Sequence, residues 1–63
     1  MSRWVGVVQH NLLTDDRIGE TLINLDNVDY IETTRDVLVF NSGEHVKINR
    51  ESMVHILELL ETE

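Results

Sequence analysis

The sequence predicts one small α+β domain, mainly β. An antiparallel sheet of about five strands fills residues 3–48 and one amphipathic helix follows at about 50–61. Three observations predict it. Short β-branched and aromatic runs alternate with turn residues as far as Ile48. Beyond Ile48 the apolar period changes: Met53, Ile56, Leu57 and Leu60 fall at i, i+3, i+4 and i+7. No proline, Gly/Ser run or repeat marks a linker, so residues 1–63 read as a single unit.

Arg3 to Gln9 reads as the first strand, with Trp4, Gly6 and Val8 on one face and Val5 and Val7 on the other. Gly6 weakens that strand, and marks a bulge or a place where another group packs closely. Trp4 reads as a core residue, with an interface anchor as the alternative. His10 to Asp16 is turn-like, because Asn11, Asp15 and Asp16 suit local bonds from side chain to backbone. Leu12 and Leu13 lie within that turn, either closing the core or exposed for contact.

Glu20 to Leu25 is the second strand, and Asp26-Asn27 a turn. Val28 to Thr33 is the third, with Val28 and Tyr30 on one side and Asp29 and Ile31 on the other. Tyr30 has the same two readings as Trp4. After a turn at Arg35-Asp36, Val37 to Phe40 is apolar on both faces and belongs inside the sheet. Asn41 to Glu44 is a turn in which Gly43 is free to take positive φ. His45 to Ile48 is the fifth strand, Val46 and Ile48 inward, His45 and Lys47 outward. Asn49 is the expected N-cap, and Glu51 suits the first helical turn. Val54 and Leu59 lie off the helix stripe, which leaves the helix more to bury than one sheet face needs.

Bulk composition bounds the function. A chain of 63 residues buries about 60% of its unfolded surface and is marginal without help. There is no cysteine, which removes disulfides, thiolate metal sites and thiol catalysis. Self-association is then the expected helper, with Val37, Val39, Val54 and Leu59 as its candidate residues. Twelve acidic residues stand against five basic ones, a net charge of −7 that repels phosphate backbones. The acidity reads first as solubility, and second as attraction to a basic partner surface. No stretch approaches a membrane span, and the apolar run near the start is too short for a signal-peptide core. The expected location is the cytoplasm, or the host cytoplasm for a phage-encoded protein.

From Gly19 onward the chain resembles the FlbD family of small proteins encoded among flagellar genes. The matching residues are Gly19, Leu22-Ile23-Asn24, Ile31-Glu32, Val37 to Phe40, Asn41-Ser42-Gly43, Val46 to Ile48 and Glu51-Ser52. The likeness covers about 40 residues, and Trp4 to Asp16 has no counterpart in it. It implies a small regulatory or accessory protein with no catalytic residues. A second set, Leu13-Thr14, Ile18 to Leu22 and Val46 to Glu51, is similar to CsrA, a dimeric RNA-binding regulator. That likeness implies an RNA-contacting role for Arg50, but Asp15-Asp16 stand where that family is basic.

No residue pattern points to catalysis. His10, His45 and His55 have no metal-site spacing, and they read as isolated surface histidines. Ser42, Ser52, Thr14 and Thr21 lack a nucleophile elbow. Neither a calcium loop nor a phosphate loop is present. The expectation is therefore a non-enzymatic interaction protein without cofactor. It forms a homo-oligomer and modulates or inhibits a protein partner through Trp4, Leu12, Leu13, Asp15, Asp16 and Arg17. By analogy, this form is common among phage-encoded inhibitors. The alternatives are an oligomer that sequesters a small ligand or nucleotide between subunits, a flagellar accessory protein, and a CsrA-like RNA binder.

Overall fold

A computed structural model describes residues 3–62. Five antiparallel strands, β1 (Trp4–His10), β2 (Arg17–Asn24), β3 (Val28–Glu32), β4 (Val37–Phe40) and β5 (His45–Ile48), precede one helix, α1 (Arg50–Glu61). The sheet order is β2-β1-β5-β4-β3, so the consecutive strands β2 and β3 are its two edges. A single 3-10 turn, Leu25–Asn27, joins them. Laid flat, five strands would hold their edges about 19 Å apart. The turn and its flanks advance only about 8 Å. The sheet must therefore curl until the end of β2 meets the start of β3. Arg3 holds that seam: its Nε donates to Asp26 Oδ1 at 2.8 Å, and its carbonyl accepts from the Leu25 N–H at 2.8 Å.

The concave side holds the core. Val5, Val7, Ile23, Leu25, Leu38, Val46 and Ile48 enclose Met53 and Ile56 of α1. Leu38, Met53 and Ile56 are all 0% exposed. Asn49 starts the helix as its sequence context predicts, its Oδ1 accepting from the Ser52 N–H at 2.8 Å. The same turn fastens α1 to β1. Val8 N–H donates to Ser52 Oγ at 3.0 Å, and Val8 C=O accepts from the Asn49 N–H at 3.0 Å. These bonds replace strand pairing, because β1 and β5 are in register only at Gln9↔Ile48 and His10↔Lys47.

Several expectations change in the folded chain. Trp4 is not core: it is 62% exposed on the convex face. Val37 and Val39 are already buried within one chain, at 1% and 5% exposed, and offer no surface to a second copy. β4 lies inside the sheet, between β3 and β5, where its two-sided apolar run places it. In β3 the register slips between Val28 and Tyr30. A slip of that kind breaks strict alternation. Val28 and Ile31 then both pack on the core, while Tyr30 turns outward. The second strand starts three residues earlier than expected, at Arg17, across an irregularity at Gln9/His10 that leaves Ile18 unpaired. Gly43 has φ +90°, the left-handed geometry expected of its turn.

Candidate interaction surface

The β1–β2 hairpin ends in a loop, residues 11–16, that the chain holds in one shape. Asn11 organises it. Its Oδ1 accepts from the N–H groups of Leu13 at 2.8 Å and Thr14 at 3.1 Å. Its own N–H donates to Asp16 C=O at 2.7 Å, and its carbonyl accepts from the Asp15 N–H at 2.9 Å. Asp15 takes φ +66°, which a short polar side chain tolerates best. Neighbouring strands clamp the loop from below. His10 Nδ1 donates to Asp15 C=O at 2.9 Å, and Lys47 Nζ lies 3.3 Å from Asp15 Oδ1. The product is a fixed tip carrying Leu13 at 93% exposure, with Leu12 half-exposed beside it. Asn11→Ala should free the tip without unfolding the domain. Amide exchange at Leu13 and Thr14 is expected to quicken, with global stability lowered by no more than about 1 kcal/mol. Unchanged exchange at those two amides would show that Asn11 does not hold the loop.

The six candidate partner-binding residues do not form one site. Leu12, Leu13, Asp15 and Asp16 share the tip, and Arg17 opens β2 beside it. Trp4 stands at the other end of β1, about 20 Å away along the strand. There it belongs to a different surface, with Leu22, which is 69% exposed, whereas Ile18, 59% exposed, lies beside Arg17 at the tip end of the ribbon. Leu22 was masked in the sequence because Leu22 and Ile23 are adjacent apolar residues, and only pairing shows that Ile23 is the buried one. Val54 and Leu59 do not combine either. Five helical positions put them about 140° apart on opposite flanks of α1.

Four of the five basic side chains are paired within the fold. Arg3 pairs with Asp26, Arg35 with Glu32 at 3.4 Å, Lys47 with Asp15, and Arg50 Nη2 with Asp36 Oδ1 at 3.3 Å. Asp36 Oδ1 is buried and accepts no hydrogen bond, so its contact with Arg50 is one of charge alone. Among the described residues, Arg17 is the basic side chain left without a carboxylate within ion-pair distance. The histidines lie apart in the fold: His10 ends β1, His45 opens β5 and gives its Nδ1–H to Gly43 C=O at 3.0 Å, and His55 is exposed on α1. Among the described residues no three His, Asp or Glu side chains are grouped to hold a metal ion. No described helix is long and apolar enough to cross a membrane.

Fold and surface together define a small five-stranded antiparallel domain, backed by one helix, that displays a rigid apolar loop. No family model, curated protein or solved structure matches the chain.

Proposed function

We propose that this protein is a non-enzymatic interaction module that captures a protein partner with the tip of its β1–β2 hairpin. One observation carries the reading: Leu13 is 93% exposed on a loop whose backbone is hydrogen-bonded into a single conformation. A solvent-facing leucine on a flexible loop is ordinary. Holding one rigidly is a structural cost that binding recovers, because a preordered loop loses little entropy when it docks. The polar rim of such a site is present too. Asp16 and Arg17 flank the apolar tip, and among the described residues neither is engaged in an ion pair. The net charge of −7 favours a partner with a basic surface, through faster encounter more than tighter holding.

The pairing of basic side chains weighs against the RNA-binding alternative. Arg50, to which the CsrA likeness gives an RNA contact, already faces Asp36. A nucleotide-sequestering role draws on the same few cations. The FlbD likeness runs from β2 to the first turn of α1 and leaves out β1 and the tip, so a flagellar accessory role would rest on the shared scaffold and not on this loop.

Affinity capture from cells that express the protein tests the reading. Leu13→Asp should abolish recovery of a protein that the wild type enriches, while the far-UV circular dichroism of the two remains alike. Recovery of the same protein by the variant would remove the tip from partner binding.

A further inference from the structure

The convex face of the β1–β2 ribbon carries a second, separate surface. Alternation and register place Trp4, Gly6 and Val8 of β1 beside Asn24, Leu22 and Glu20 of β2, pair by pair. This side faces away from the core, and none of the described residues covers it. Trp4 and Leu22 stand out from it, and a hollow of about 400 Å³ lies next to them, lined by Gly6, Val8, Glu20 and Leu22 among others.

Gly6 is the informative residue. Its φ is not in the left-handed region, and a Cβ placed on it would meet only Leu22 Cδ2 at 3.9 Å, an ordinary contact. Neither backbone geometry nor packing within the chain calls for glycine there. Yet glycine weakens a strand interior, and its usual reason is the close approach of another group. That group is not among the described residues.

We propose that it is a second copy of this chain, and that two copies pair face to face through β1–β2 about a two-fold axis passing over Gly6. The axis lies between the faces, perpendicular to β1. It sets Trp4 of each protomer over the hollow beside Gly6 and Val8 of the other, and Leu22 against Leu22. It also sets Asn24, an amide donor, opposite Glu20, a carboxylate acceptor. The surface is thus self-complementary, as an isologous contact requires. Within the patch no like charges meet, because Glu20 is the one acidic side chain among these six residues and it meets Asn24 rather than its own copy. Trp4 and Leu22 expose on the order of 300 Å² of apolar surface. A standard interface buries about 800 Å² per partner, a little over half of it apolar. The patch therefore supplies the apolar centre of a dimer and leaves the polar rim to its surroundings. It also supplies the self-association that so short a chain is expected to need, and it does so at the opposite end of β1 from the partner-binding tip.

The full chain reports on this through its single tryptophan. Light scattering across a dilution series should show twice the chain mass at the concentrated end. Tryptophan emission should shift to the blue with the same midpoint, as the indole leaves water. Trp4→Ala, and separately Gly6→Leu, which fills the hollow, should each raise the dimer dissociation constant at least about 30-fold, the scale of an interface hot spot. Both should retain the circular dichroism of the wild type. Leu13→Asp should leave the dimer intact, which separates failure of this interface from failure of the tip. A monomer at every concentration overturns the proposal. So does a dimer whose emission ignores concentration, or one that survives Trp4→Ala.

Discussion

Leu38→Ala is expected to leave the domain barely folded at room temperature. Leu38 is 0% exposed on β4 and belongs to the cluster that receives Met53 and Ile56 from α1. Truncating a buried leucine costs its transfer free energy and opens a cavity, together about 3 kcal/mol. A 63-residue domain has only about 3–9 kcal/mol to lose. In a protein of this size that loss lowers the melting temperature by about 15 °C or more. Thermal unfolding followed by circular dichroism measures it directly. A fall of under about 5 °C would mean that the space collapses on substitution, and that Leu38 does not pack in the cluster around Met53 and Ile56. Val39 is a useful control on the same strand. Its side chain lies on the other face, outside the main cluster, so Val39→Ala removes less volume and should cost less.

Ser52→Ala should cost about 1.5 kcal/mol, more than a first-turn serine on a free helix would. Its hydroxyl is the acceptor for the Val8 N–H, at 3.0 Å in a partly buried place where β1 has already parted from β5. Removing it leaves a backbone donor without its partner, which is the expensive half of breaking a hydrogen bond. The melting temperature is then expected to fall by about 8 °C. Amide exchange at Val8 should quicken more than at Val5 or Val7, which face β2. Ser52→Thr, which keeps an oxygen in place, should recover most of the loss. If alanine and threonine behave alike, the hydroxyl does not fasten α1 to β1.

Much of the architecture is legible in the residues. The spans of β4, β5 and α1 follow from apolar runs bounded by Asn41 to Glu44 and Asn49, and they stand in the structure as the sequence predicts them. The capping role of Asn49 and the positive φ of Gly43 are equally local. These features depend on neighbours within about four positions, where chain geometry leaves few choices. The candidate surface was legible only in part. Asn11, Asp15 and Asp16 announce a turn. That the turn is closed by five hydrogen bonds from Asn11 to Asp16, and that Leu13 projects from it, depends on strand pairing beneath and on Lys47 from β5. The start of β2 was hidden for a similar reason. Arg17 to Gly19 has no strand-like alternation of its own, and it is extended because β1 pairs with it across an irregularity.

By itself, then, the sequence determined the class of the fold, the order of its elements, the helix cap, the positions of the turns and the acidic character. Each of these is a matter of local geometry or of composition. Tertiary structure alone decided which side of β1 faces inward, whereas alternation already set Val46 and Ile48 inward on β5. Alternation divides β1 into Trp4, Gly6 and Val8 on one face and Val5 and Val7 on the other, and both sets are apolar enough to be buried. The choice is made where α1 lands, because a single helix can cover only one side of a sheet. It covers the valines, which leaves Trp4 and the hollow beside Gly6 to the solvent.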